Sequence, residues 1–326
     1  MSSRAAAIDI GTNTVLLLVV ERRLEEGVST LVPVLERAEI TRLGQGVDRT
    51  RKLAPEAVER TLAVLESYAD DLRRLGVERC EAVGTSAMRD AAGGPELRAR
   101  ARDVLGFEPR VIGGEEEARL TFLGGLSGLA SPPDGDVRRP LVFDIGGGST
   151  EFILGAGQRD DSRIACAVSL DVGSVRLTER HVGSDPPSAD DLEALDIGIR
   201  DALAAGLAGA PWGELAPDAI ELVGVAGTLT TLAAIARNVE PYEGARVHGV
   251  RLTRAEIAVV AERLASCSLA ERCSLPGLSP KRADVIVAGA RLCLAILDRF
   301  GAPSVTVSDR GVRWGLAALA CPDSPG

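Results

Sequence analysis

The sequence predicts an α/β chain built from two related domains. Three observations carry that expectation. Strand signals alternate with helix signals along the chain; its 326 residues are long for a single core; and one strand–turn–strand pattern occurs twice. AIDIGTNTVLLLVV (7–20) and VFDIGGGSTEFILG (142–155) share an apolar strand, Asp-Ile-Gly, a small polar turn and a second apolar strand. Asp9 and Asp144 hold equivalent places. A hairpin repeated at domain spacing predicts two domains facing each other across a cleft.

In chain order, Ala5–Asp9 and Val15–Val20 are apolar runs separated by a turn, and Leu31–Leu35 reads as a third strand. Pro55 opens a helix through Leu75: Val58, Leu62, Leu65 and Leu72 recur at helical spacing, and Gly76 closes it. A strand near Cys80–Val83, a helix near Pro95–Leu105, a short strand at Arg110–Ile112 and a helix from Glu115 follow. Segment 127–140 is a linker by its Gly, Pro and Asp content, which bounds the domains at 1–128 and 136–309. A second strand–turn–strand unit starts at Leu141, Ser184–Ser188 is a loop, and 189–208 is a helix. Strand Ile220–Val225 leads through Gly227 into a helix; helices at 254–265 and 281–299, a strand at Ser304–Val307 and a helix from Gly311 to Ala320 complete the chain. The C-terminal stretch 310–326 is a candidate to pack back on the first domain.

A net charge of −10 argues against broad electrostatic binding to nucleic acid. A polyanionic ligand would have to be held locally, by amides, a few arginines and metal. The start shows no secretory signal and no stretch has the apolar length of a membrane span, so a cytoplasmic protein with no membrane partner is expected. Six cysteines without a CxxC, and only two histidines, point to free thiols and away from zinc.

The two turns carry the chemistry. Small residues let a backbone approach an anion, and successive amides form a concave nest. Gly11, Thr12, Asn13 and Thr14 build the first turn; Gly146, Gly147, Gly148 and Ser149 build the second. One such turn reads as a tight hairpin; two, each after a strand ending in a carboxylate, point to phosphate. Asp9, Asp144 and Glu151 then suit a magnesium–phosphate site, since magnesium takes one or two carboxylates, water and phosphate oxygens. Glu151 is the most telling of the three, because it interrupts an apolar hairpin.

Other segments are weaker alone. Spacing alone favours helix-dipole stabilisation for Glu115-Glu116-Glu117. GTSAMRD (84–90) sets Thr85, Ser86 and Arg89 at a strand-to-helix turn, suited to phosphate or simply solvated. GVAGTLTTLAA (224–234) sets Gly227 and Thr228 at a helix start, an anion or ribose site or tight packing.

Together these segments resemble the exopolyphosphatase / guanosine pentaphosphate phosphohydrolase (Ppx/GppA) family, of the ribonuclease-H-like actin, sugar-kinase and heat-shock-chaperone superfamily. The match is ordered: DIGTNT, GTSAMRD, GGEEEARLTFLG, FDIGGGSTE, SLDVGSVRLTE, GVAGTLTTLA, KRADVIVAGA and VSDRGVRWG. The resemblance implies two ribonuclease-H-like domains flanking a central cleft. It implies Glu117 as the base that activates water, with Glu116 as the alternative if the register is off by one. It also implies Mg²⁺ or Mn²⁺ on Asp9, Asp144 and Glu151, and substrate phosphate on both turns and Arg89. Arg282, with Arg89 and Arg313, is a candidate for an arginine track along a polyanion. The substrate implied is inorganic polyphosphate or pppGpp, with a homodimer left open. The resemblance implies the short, two-domain form, and no helical HD-type domain of the kind in longer members is expected. Val15-Leu16-Leu17 stands where some members carry an arginine, which tilts the choice toward polyphosphate. Rival readings are a superfamily kinase or ATPase, against which the EEEAR segment weighs, and a non-catalytic alarmone or polyphosphate sensor.

Overall fold

Alternation along β1 (Arg4–Ile10) sets the plan of the N-terminal unit. In a computed structural model describing residues 4–25, 28–130, 137–158, 162–209 and 211–321, this strand runs through the middle of a five-stranded sheet. β2 (Thr14–Glu25) and β3 (Val28–Ile40) pair antiparallel beside it. β4 (Arg79–Gly84) and β5 (Arg110–Val111) add parallel strands on its other side, giving the order β3-β2-β1-β4-β5. Ala6, Ile8 and Ile10 face one core with Leu62, Leu65, Tyr68 and Leu97, from helices Pro55–Arg74 and Gly94–Leu105. Ala5 and Ala7 face the other, with Leu120, Trp314, Leu316 and Ala317, from helices Gly114–Leu126 and Val312–Ala320. A period of two thus buries both faces of the strand.

The second unit repeats this plan. β6 (Arg139–Ile145), β7 (Thr150–Gly155) and β8 (Ile164–Leu170) form an antiparallel meander. β9 (Ile220–Val225) lies parallel to β6, and β11 (Ser304–Val307) lies parallel to β9. β10 (Arg251–Thr253) adds an antiparallel edge, giving β10-β11-β9-β6-β7-β8. Phe143 and Phe152 are cross-strand partners with ring centroids 6.4 Å apart, and Phe152 continues the aromatic core to Trp212 and Phe300. Helix Ala189–Gly206 starts at a Ser188–Asp191 capping box, and Arg254–Ser266 at a Thr253–Glu256 box.

The units divide as Met1–Gly124 with Val312–Gly326, and Gly125–Gly311. Part of the expected linker (131–136) and the last residues of 310–326 (322–326) lie outside the described residues. β8 and a helix over Ser174–His181 were not expected, and three further differences have a physical reason. β3 covers 28–40 and not only 31–35, because Glu36, Arg37 and Glu39 hide strand signal on an edge, where Pro33 is also tolerated at a bulge. The helix expected at 281–299 begins as a separate 3₁₀ turn, Pro280–Arg282, and runs helically from Ile286 to Arg299. β10 is too short to leave a sequence signal. Among the described residues, no helix is long and apolar enough to cross a membrane.

Candidate active site

In both units the residues singled out gather where the parallel strands end at their carboxyl side, the usual ligand edge of such sheets. In the first unit, Asp9, next to last in β1, is in register with Val83 of β4, and Gly84 of β4 pairs with Val111 of β5. The turn after β1 is closed by the Gly11 amide, which donates to Thr14 O at 3.1 Å. The Thr12 and Ser86 hydroxyls meet at 2.8 Å, which ties this turn to the GTSAMRD turn. Asp9 is 8% exposed, and its Oδ1 has no hydrogen-bond partner among the described residues. Burial pushes its carboxyl up to about 7, opposed by the positive charge of Arg313. Arg313, itself buried, pairs with Glu36 at 2.7 Å.

The acidic run separates by partner. Glu116 is 41% exposed and its Oε1 accepts from Arg110 Nη1 at 2.9 Å. Glu117 is 15% exposed, and its Oε2 lies 3.5 Å from Arg89 Nη1. Arg89 also donates to Ile112 O at 3.1 Å, which holds its guanidinium at the end of β5. An acid and a phosphate-type arginine are thus side by side, with Glu116 turned to another partner.

In the second unit the Gly146 amide donates to Ser149 O at 3.0 Å, the same closing bond as Gly11 to Thr14. Asp144 and Glu151 are direct cross-strand partners, so both carboxylates lie on one face of the sheet. Glu151 is buried and accepts from Ser169 Oγ at 2.7 Å. Thr228 lies in the first turn of helix Ala226–Arg237, and its hydroxyl donates to Ile145 O at 3.1 Å. Ala226, the first residue of that helix, takes φ +64, a conformation costly for any residue with a Cβ and typical of functional turns. The Arg282 guanidinium packs on the face of Gly227, where a Cβ would collide with it. Burial lowers the Arg282 pKa, opposed by Tyr242 and Asp144.

The first unit therefore gathers Asp9, the 11–14 turn, Thr85, Ser86, Arg89 and Glu117. The second gathers Asp144, Glu151, the 146–149 turn, Gly227, Thr228 and Arg282. No group of three or more His, Cys, Asp or Glu side chains able to hold a metal occurs among the described residues. Asp144 and Glu151 are a pair and not a cage. Sequence reasoning missed Gly44, whose amide donates to Thr12 O at 2.8 Å, and Ser169 and Gly173. A glycine following each third strand was the available signal.

Residues 19–320 match the Ppx/GppA phosphatase family. The chain is 38% identical over 325 residues to a Mycobacterium tuberculosis protein named exopolyphosphatase 2, covering 97% of this chain and 98% of that one. Among solved structures it is similar to an exopolyphosphatase-like protein at TM-score 0.86 and 30% identity, covering 97% and 98% of the two chains. It is also similar to the Aquifex aeolicus Ppx/GppA family member at TM-score 0.77 and 31% identity, covering 97% and 96%.

Proposed function

Because the chain belongs to the Ppx/GppA phosphatase family, we propose that it is an exopolyphosphatase, releasing terminal phosphate from inorganic polyphosphate by hydrolysis. The observation that carries the reading is the placement of Glu117 beside Arg89, with Glu116 diverted to Arg110. Glu117 takes a proton from water as the water oxygen bonds to the terminal phosphorus and the bridging P–O bond breaks. The released end of the shortened chain leaves as phosphate oxygen. In each unit the turn amides, and in the first unit Arg89 as well, are the groups suited to stabilise charge on phosphoryl oxygens.

A divalent cation, Mg²⁺ or Mn²⁺, fits the residues present. Asp144 and Glu151 stand directly opposite each other on one face of the sheet and offer carboxylate oxygens, the donors magnesium takes. These two would hold it, and Asp9 is the corresponding carboxylate of the first unit. Once bound, the cation neutralises phosphate charge.

Three observations favour polyphosphate over nucleotides. The relative from Mycobacterium tuberculosis is named for that activity. Val15 and Leu17 are fully buried, so that part of β2 offers no cationic contact to a guanosine. Arg282 covers the Gly227 face that a nucleoside would need in a kinase or ATPase. The repeated strand order supports a ribonuclease-H-like pair. All six cysteines are free, which supports a reducing, cytoplasmic setting. A homodimer belongs to the same reading and is tested by mass in solution.

The experiment is phosphate release with magnesium on long-chain polyphosphate, short-chain polyphosphate, pppGpp and ATP in parallel. Polyphosphate should give the highest kcat/KM. A preference for pppGpp would reassign the substrate, and binding without turnover on all four would make the protein a sensor.

A further inference from the structure

One segment holds every carbonyl of the triple-glycine turn. Gly146 O accepts from the Ser174 amide at 3.0 Å and the Ser174 hydroxyl at 3.2 Å. Gly147 O accepts from the amides of Val175 and Arg176 at 2.9 and 3.1 Å. Gly148 O accepts from Arg176 Nε at 2.7 Å. In a planar trans peptide, the C=O of one residue and the N–H of the next point opposite ways. Anchoring these three carbonyls on one side therefore sends the amides of Gly147, Gly148 and Ser149 to the other. Among the described residues, none of those amides donates to a backbone carbonyl. Three such N–H groups make an anion nest.

Packing locks the same segment. A Cβ at Gly173 would lie 2.6 Å from Gly147 O, 2.7 Å from Gly147 C and 2.8 Å from Gly148 N. These are backbone atoms and cannot rotate out of the way. The Arg176 side chain is 18% exposed, and its Nη2 reaches Asp171 only at 3.5 Å. Asp171 is 90% exposed, so that pair is screened and weak.

We propose that Arg176 is a positioning residue: it keeps the nest's last carbonyl turned away from the substrate, and so aims the Ser149 amide at the phosphate without touching it. This rests on the proposed function in taking phosphate as the occupant of the turn. An arginine beside a phosphate site is ordinarily a bidentate ligand. Here its Nε is committed to a carbonyl. Without that donor, the peptide between Gly148 and Ser149 is free to flip and present oxygen to an anion.

The test uses the full chain with Arg176→Met and Arg176→Lys, and inorganic phosphate as the probe. Hydrogen exchange of a peptide spanning 146–150 is followed without ligand, and phosphate affinity is measured calorimetrically. Arg176→Met should speed exchange in the turn and weaken phosphate binding by about tenfold, the loss of one charge-assisted bond; Arg176→Lys should recover part of both. Weaker phosphate binding with unchanged exchange would make Arg176 a direct ligand and overturn the proposal, as would no change in either. If Arg176→Met fails to fold, Gly173→Ala probes the same clamp through packing, and unaltered exchange at 146–150 there is equally fatal. Faster exchange in Arg176→Met together with no phosphate binding by the parent protein would support the positioning role and sink the functional reading instead.

Discussion

Two carboxyls, Glu117 and Asp9, have separable consequences. Glu117→Gln should lower turnover about 10²–10⁴-fold while substrate binding and folding persist. Glu116→Gln should lose only the charge of its surface ion pair with Arg110 and keep near-parental rates, as steady-state phosphate release would show. The reverse pattern would move the base by one position. Asp9 affects stability through pH. Its carboxyl rises from 3.8 to about 7 in the folded state, so the folded protein binds the proton more tightly than the unfolded chain does. The stability this gives is complete below pH 3.8 and is lost as pH climbs through 7, a change of up to about 4 kcal/mol. Asp9→Asn should therefore unfold at higher urea than the parent at pH 8 without divalent cation, and the gap should close toward pH 4. Added magnesium should stabilise the parent and not the variant, if Asp9 binds the cation.

At the scale of elements, much was legible because residue type and period encode it. Strand Ile220–Val225, the helix from Pro55 and the two Asp-Ile-Gly hairpins all follow from apolar runs and the glycines or proline that bound them. Contacts made by main-chain atoms were not legible. The clamp on 146–148 is mostly amide to carbonyl, and amides are the same in every residue but proline. Glu117 was ambiguous for a different reason. A first-turn position in helix Gly114–Leu126 satisfies the dipole whichever way the side chain leans, and it is tertiary placement, beside Arg110 or Arg89, that separates Glu116 from Glu117. Close helix packing was hidden in the same way. Gly315 of the last helix lies against the backbone of Leu120, its Cβ position 2.9 Å from Leu120 C. Gly315→Val should overpack that crossing and cost about 1–3 kcal/mol, measured as a lower thermal midpoint with the second unit's aromatic core signal preserved.

For the whole molecule, charge sets the expected response to solution conditions. With a net charge of −10 the protein repels a polyanion at long range, so the proposed polyphosphate would have to be held by local amides, arginines and cation. Chelation should abolish phosphate release. Moderate monovalent salt should weaken polyphosphate binding less than in a strongly basic protein. A steep salt dependence would reveal a concentrated arginine track, and activity surviving chelation would remove the cation role of Asp144 and Glu151. The path of the chain has a further consequence, for synthesis. Ala5, Ala7, Leu18 and Val20 leave the ribosome early, but Trp314, Leu316 and Ala317, which cover them, emerge only after the whole second unit. The first sheet therefore waits half-dressed while a later module folds, against the usual order in which N-terminal domains finish first. A nascent chain at that stage offers an apolar face to chaperones, and it lacks Arg313, the cation that moderates the buried Asp9.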